Sequence, residues 1–241
     1  MSCFLLPKTF CKELENILAS FWWRNSKEKR GIHWCSWTEL CKLKNFGGLG
    51  FRDLAKFNVA LLAKQGWRLV TSPSSLIGRL FWAKYFPSSD FMKARLGSNP
   101  SLIWRSVWSA RGLLKKRIRW KVGCGRMVSV WNDYWLPGPV PKKVSSLQTL
   151  DVQWVADLID EASGGWMTDL VMTTFSSSEA LEILSISLPM GAQPDTKVWY
   201  GEHSGIYSVR SGYRLLMHSD LSPSQESTLL RKIWQSNCPT K

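Results

Sequence analysis

Six basic side chains in the middle of the chain could bind phosphate groups. They are Lys115, Lys116, Arg117, Arg119, Lys121 and Arg126, with Trp120 lying among them. Lysine and arginine contact phosphate oxygens, and an aromatic ring can stack on a nucleobase. The pattern therefore favours nucleic-acid binding by the six cations, whereas a tryptophan in a strand is more often a core residue. The alternative interpretation is a solvated strand face with no binding role.

The sequence lacks the paired carboxylates that metal-dependent polymerases and nucleases use. Polymerases and nucleases hold divalent metal ions with clustered Asp and Glu, and the sequence contains no Asp-Asp pair. Glu13/Glu15 and Asp160/Glu161 are the nearest approaches, and helical spacing makes both typical of solvated faces. No Gly-x-Ser-x-Gly motif marks a nucleophile. We therefore predict no catalytic residue and no enzymatic activity for this chain.

Metal and cofactor sites are not indicated either. His33, Cys35 and Cys41 lie close together in sequence, but their spacing is not a zinc pattern and only three ligands are offered. Gly47-Gly-Leu-Gly50 is not followed by the Lys-Ser/Thr of a phosphate loop. The six cysteines include no Cys-x-x-Cys pair, which favours reduced thiols in an intracellular protein. We expect no metal and no cofactor.

Charge is distributed unequally between the two parts of the chain. Residues 1–150 carry 26 Lys and Arg against 7 Asp and Glu, a net charge of +19, whereas the remaining residues have a net charge of −5. A charge excess of that size attracts polyanions, so RNA or DNA is the expected partner. No apolar run approaches the roughly 20 residues that a membrane span needs, so no membrane partner is expected. Lys115-Lys-Arg117 is a candidate nuclear signal.

Apolar residues recur at helical spacing in several segments, which predicts amphipathic helices. These cover residues 10–23, 54–70, 76–85, 102–111, 155–162, 178–186 and 211–218. Thr9, Asp53 and Ser101 are expected to cap three of them, because their side-chain oxygens can accept first-turn amides.

Two segments change to the alternation of a strand. Apolar and basic residues alternate over 118–122, and the alternation resumes over 128–130 after the turn Gly123-Cys-Gly125. This pattern predicts a β-hairpin near residues 118–131. A second hairpin is predicted from residues 198–200 and 206–209 around the glycines Gly201 and Gly205.

The predicted fold class is α+β and mainly helical. A basic, Trp-rich helical region with the first hairpin is expected over residues 1–136, followed by a proline-rich linker over 137–150. An acidic helical segment is expected over 151–190, and a small α+β segment over 191–241 that is incomplete and unstable alone.

An ordered series of short motifs resembles a known family. The series runs through Phe21-Trp-Trp23, Gly31-Ile-His-Trp34, Gly47-Gly-Leu-Gly-Phe51, Trp104-Arg-Ser106, Trp120-Lys-Val-Gly123, Val130-Trp-Asn-Asp133, Trp135-Leu-Pro137, Tyr207-Ser-Val-Arg-Ser211, Ile233-Trp234 and Cys238-Pro-Thr-Lys241. Together these motifs resemble the C-terminal region of plant non-LTR retrotransposon reverse transcriptases, running into the start of the reverse transcriptase zinc-binding domain.

The resemblance implies a place between two active parts of a larger enzyme. In such proteins a polymerase domain precedes this region, and zinc ligands, often with a ribonuclease H domain, follow it. The catalytic aspartates of the family have no counterpart here, and the zinc ligands are expected beyond Lys241. We therefore expect a non-catalytic, nucleic-acid-binding fragment of an RNA-directed DNA polymerase. A packing module for a polymerase domain, or an inert remnant, remain the alternatives.

Overall fold

The computed structural model describes residues 1–24, 32–160, 163–189, 191 and 193–218. The helices are α1 (Lys8–Trp22), α2 (Trp37–Cys41), α3 (Leu54–Thr71), α4 (Leu76–Tyr85), α5 (Leu102–Ser109), α6 (Arg111–Lys115), α7 (Thr168–Thr174), α8 (Ser177–Leu184) and α9 (Val209–His218). The strands β1 (Ile118–Lys121) and β2 (Thr196–Trp199) form one antiparallel sheet. The predicted mainly helical α+β class is confirmed.

Side-chain caps explain where several helices begin. Asp53 accepts a hydrogen bond from the Lys56 amide at 2.8 Å, and Ser101 accepts one from the Trp104 amide at 3.2 Å. Both predicted caps are confirmed. Thr9, however, lies inside α1, because Pro7 precedes its first turn and fixes a backbone angle suited to helix entry.

Several predicted helix boundaries differ from the structure by two residues or more. The helix predicted over 102–111 is divided at Ala110 into α5 and α6, and α9 begins at Val209 rather than at Ser211. Residues Val155–Leu158 form a short 3₁₀ turn where a helix over 155–162 was predicted, and residues 161 and 162 lie outside the described part. Short elements are held mainly by tertiary packing, which apolar spacing alone does not locate.

The sheet corrects the prediction of a hairpin near 118–131. Strand β1 pairs with β2, which is distant in sequence, and Ile118 lies opposite Trp199. Residues 128–130 pair instead with residues 153–155. The Val155 amide donates a hydrogen bond to the Val128 carbonyl, and the Val130 amide donates one to the Gln153 carbonyl, both at 3.0 Å. The extended structure of residues 118–121 was predicted correctly, but the strand with which these residues pair was not.

The predicted hairpin over 198–209 is also wrong. Trp199 donates one backbone hydrogen bond to Gly205 at 2.7 Å, but Ile206 and Tyr207 form no strand. The chain enters α9 two residues after Tyr207, which leaves no length for a return strand on the edge of β2 that β1 does not occupy.

Two clusters of buried apolar residues form the interior. The first joins α3, α4, α5 and α6 to Trp199 and Tyr207, and Trp104 lies fully buried at its centre against Tyr85 and Phe86. The second joins residues 122–136 to the segment 152–158 and to α7 and α8. Because β1 ends at Lys121 and Val122 belongs to the second cluster, the sheet lies where the two clusters meet.

The proline-rich stretch 137–150 contacts the second cluster. Leu136 forms an isolated bridge with Lys142, and Val144 packs against the apolar side chains. The backbone amides of Ser145 and Ser146 donate to the carboxylate of Glu179. Among the helices that the described ranges contain, none is both long and apolar enough to cross a bilayer.

Candidate nucleic-acid interface

Strand β1 positions two of the six candidate cations. Side chains alternate between the faces of a strand, so the burial of Ile118 in the first cluster sends Arg119 and Lys121 to the opposite face. Lys121 is exposed and Arg119 is partly exposed. Their charged groups therefore lie at the surface while β1 is fixed by packing beneath it.

Arg119 lies over the aromatic ring of the residue that directly follows β2. Its guanidinium carbon is 4.4 Å from the centre of the Tyr200 ring, and the Tyr200 amide donates to the Arg117 carbonyl at 2.9 Å. A cation–π contact uses none of the guanidinium N–H groups as hydrogen-bond donors, so they stay available for phosphate. Arginine and tyrosine thus form a preorganised pair of a cation and a stacking surface.

This pair borders an open groove of about 760 Å³, which we call the basic groove. Arg119, Lys121, His203 and Arg214 are the basic residues among those that line it. Glu202 also lines it, and its carboxylate accepts a hydrogen bond from the Ser208 hydroxyl at 2.5 Å, at the start of α9. The lining therefore carries an excess of positive charge with aromatic surface beside it.

Three further candidates line a separate, shallower depression of about 390 Å³, which we call the basic cavity. Lys115 ends α6, whose Leu113 and Leu114 are buried, and Lys116 and Arg117 follow directly. A guanidinium nitrogen of Arg117 donates to the Pro139 carbonyl at 2.7 Å, so one of its donors is already used by the protein. Lys115 and Lys116 are both exposed.

Arg126 lies apart from both depressions. It is exposed in the loop after Gly125 and is absent from the lining of either the basic groove or the basic cavity. The structure thus places five of the six candidates in two groups, on β1 and on the residues that lead into it, whereas Arg126 lies apart from them.

Trp120 packs against the second cluster and is partly buried. The ammonium of Lys197 lies 5.0 Å from the centre of its ring and 3.0 Å from the Asp90 carboxylate. This environment agrees with the interpretation of Trp120 as mainly a packing residue.

The backbone amides of the glycine turn after β1 are already hydrogen-bonded to a side chain of the same protein. One oxygen of Asp195 accepts the amides of Gly123 and Gly125 at 2.6 and 2.9 Å, and the other accepts the amide of Met127 at 2.9 Å. Converging amides of this kind can bind an anion. Here the buried carboxylate of Asp195 occupies them, so the turn serves the fold rather than a phosphate.

Sequence reasoning missed Tyr200, His203, Arg214 and Asp195. Tyr200, His203 and Arg214 reach the basic groove because β2 and α9 fold back on β1, a pairing that local alternation does not reveal, and the same pairing brings Asp195 to the glycine turn. Asp195 could have been suspected from its place directly before the strand Thr196–Trp199, where a buried acid needs donors.

Three cysteines lie in conditions unfavourable to thiolate chemistry. Burial, with a smaller contribution from the carboxylates of Glu15 and Asp53, raises the pKa of Cys41 to about 12. Burial also raises the pKa of Cys11 and of Cys35. Within the part of the chain that the structure describes, no three His, Cys, Asp or Glu side chains are grouped to hold a metal ion.

Comparison with known proteins identifies relatives in plants. "Uncharacterized mitochondrial protein AtMg00310" of Arabidopsis thaliana is 44% identical over 142 residues, which are 58% of this chain and 92% of that protein. "Putative ribonuclease H protein At1g65750" of Arabidopsis thaliana is 26% identical over 250 aligned residues, which span this chain but only 40% of that protein. No protein-family model and no solved structure matches the chain.

The fold and the site define a mainly helical α+β protein with a basic groove beside its two-stranded sheet. The chain belongs to the family of the uncharacterized mitochondrial protein of Arabidopsis thaliana, of which it covers nearly the whole length.

Proposed function

We propose that the chain is a non-catalytic, nucleic-acid-binding part of a retrotransposon-derived, reverse transcriptase-related protein. The observation that carries the proposal is the basic groove, in which Arg119 lies on Tyr200 beside Lys121 and Arg214. In the basic groove and the basic cavity, phosphate groups are bound by cations of β1 and of the residues directly before it. Arg126 extends this surface beyond Gly125.

The second relative supports this proposal through its name, since ribonuclease H acts on nucleic acid. The chain spans 40% of that relative's length, so the ribonuclease activity itself is not carried over. The zinc-binding-domain-like segment proposed for residues 191–241 lies only in part within the described residues, since residues 219–241 fall outside them.

The direct test is binding of the purified chain to labelled RNA and DNA over a series of salt concentrations. We expect the affinity to fall steeply with salt, because each neutralised phosphate adds roughly 0.7 to 0.9 to the logarithmic slope. The quadruple variant K115E/K116E/R117E/R119E should bind weakly and show a much smaller slope.

A matched control separates this surface from net charge alone. The variant R79E/K84E/R95E/R105E changes the total charge equally, and all four of its arginines and lysines are exposed on other elements. It should keep most of the affinity. An equal loss of affinity in the two variants would show that binding depends on net charge and not on this surface. Failure of the wild-type chain to bind RNA or DNA at low salt would refute the proposal.

A second candidate function is packing on a polymerase domain, and one surface favours it. Helix α1 exposes a row of apolar side chains, with Phe10, Ile17 and Phe21 exposed by 45, 64 and 73%. Exposed apolar rows of this kind are typical of protein interfaces. If this function is correct, F10S/I17S/F21S should abolish binding to a separately purified reverse transcriptase polymerase domain while leaving nucleic-acid binding intact.

A further inference from the structure

A second groove, of about 600 Å³, borders the same strand. Trp120 lines both this groove and the basic groove. We call the second one the tryptophan groove. Its lining includes the indole rings of Trp120, Trp131 and Trp154 and the amide side chains of Asn132, Gln148 and Gln153.

Backbone hydrogen bonds between two neighbouring segments hold the walls of the tryptophan groove in place. Val128 and Val130 are fully buried and exchange hydrogen bonds with 153–155, which places Trp154 beside the strand-like segment. The indole N–H of Trp131 donates to the Val152 carbonyl at 2.6 Å. The orientation of Trp131 and the position of Trp154 are therefore set before any ligand arrives.

Trp154 keeps much of its ring surface open, whereas Trp120 and Trp131 pack against the second cluster. Trp154 is 46% exposed, although tryptophan usually buries most of its large surface. Gln148 and Gln153 are exposed nearby, and each side-chain amide offers both donors and an acceptor. Flat rings with adjacent amides match the two features of an unpaired nucleobase, its π face and its hydrogen-bonding edge.

The acids of the groove are already engaged. Asp90 accepts from Lys197 at 3.0 Å, and Asp133 accepts the Ser129 amide at 2.9 Å. Burial raises the pKa of the Asp90 carboxyl, but the charge and hydrogen bond of Lys197, together with the amide and charge of Lys93, outweigh it and lower that pKa. With Lys93 exposed at the rim, the groove does not repel a polyanion.

We propose that the tryptophan groove binds unpaired bases, so that the chain prefers single-stranded RNA or DNA over duplex. This inference rests on the proposed function, since the basic groove supplies the phosphate contacts that bring the strand to β1. Bases inside a duplex are stacked on one another and cannot place a face on Trp154. A single strand can satisfy both grooves at once.

The test uses the full chain, a labelled 20-nucleotide oligothymidylate, a labelled uridine oligomer of equal length and a 20-base-pair duplex. Trp154→Ala should weaken binding of both single strands about tenfold and leave duplex binding unchanged, because base stacking is lost. Trp154→Phe should restore most of the affinity. Trp82→Ala is the matched control, since Trp82 on α4 is 50% exposed and lies outside the groove.

The outcomes separate this inference from the function on which it rests. If Trp154→Ala changes nothing while binding remains salt-dependent and is lost in K115E/K116E/R117E/R119E, phosphate binding stands and the stacking groove is refuted. Equal weakening of duplex and single strand, or equal weakening by Trp82→Ala, also overturns it. If the wild-type chain binds neither, both proposals fail.

Discussion

At the residue scale, two buried carboxylates organise the loops around the second cluster. Asp195 collects three backbone amides from residues 123–127, and Glu179 collects amides and hydroxyls from Ser145 and Ser146. Each acid comes from a distant part of the sequence and closes a turn that has little regular structure of its own. Charge-assisted hydrogen bonds are well suited to this task because they are stronger than neutral ones.

Replacing Asp195 should destabilise the fold strongly. Asp195→Ala leaves three amides without their acceptor, so we expect the free energy of unfolding to fall by about 3 kcal/mol, measured by urea denaturation. Asp195→Asn keeps one acceptor oxygen and should cost less. The control is Asp151→Ala at an exposed position. A loss no larger than that of the control would contradict the role of Asp195.

The contribution of Glu179 should depend on pH. Burial opposes its ionisation, but hydrogen bonds from Ser146 and Ser145 prevail and lower its pKa from 4.5 to about 2. A lowered pKa in the folded state stabilises the fold above the ordinary value, and the benefit is lost as pH falls toward 2. Glu179→Gln should therefore cost about 1 to 3 kcal/mol at pH 7.

Thermal unfolding of wild type and Glu179→Gln between pH 7 and pH 2 measures this effect. The difference between the two proteins should remain constant above about pH 5, where the carboxyl is charged in both states, and shrink below it. A difference that stays constant down to pH 2 would show that shape rather than charge accounts for the role of Glu179.

At the scale of elements, the sequence predicts helices better than sheet partners. The cap of α3 at Asp53 and the cap of α5 at Ser101 are local, so they could be recognised from neighbouring residues. The partner of β1 is more than 70 residues away, and the alternation of 118–121 fits any antiparallel neighbour equally well. The candidate cations were therefore found by composition, whereas Tyr200 and Arg214 required the fold.

The pairing of β1 with β2 can be tested by cross-linking. Arg119 lies opposite Val198, so the variant R119C/V198C should form a disulfide under mild oxidation. The control R119C/S129C tests the local hairpin, in which these two positions would be close. Mass spectrometry of proteolytic peptides distinguishes the new disulfide from reactions of the native cysteines. Preferential cross-linking of R119C/S129C would contradict the observed sheet.

At the scale of the whole molecule, the sheet and Asp195 connect the two apolar clusters. Trp199 of β2 is fully buried in the first cluster, while Val122, directly after β1, is buried in the second. Disrupting the pairing of β1 with β2 should therefore destabilise both apolar clusters. The acidic and basic parts of the sequence fold against each other across this sheet rather than as a simple succession along the chain.

We expect residues of both clusters to unfold in one transition. Trp199→Ala should lower the free energy of unfolding by about 3 to 5 kcal/mol, because it removes a large buried ring. Urea curves followed by fluorescence and by circular dichroism should shift together and coincide. Two separated transitions, only one of which responds to Trp199→Ala, would show that the clusters are independent.

The turn filled by Asp195 also bears on gene decay. A side chain at Gly123 would collide with the backbone of Gln193 and Pro194, and one at Gly125 with the backbone of Ala156. Substitutions at these two glycines, and loss of the Asp195 carboxylate, should therefore all weaken the same turn and with it the folded product. In a genomic copy whose product is no longer selected, these three codons would drift like any others, whereas selection for a folded product would keep them unchanged.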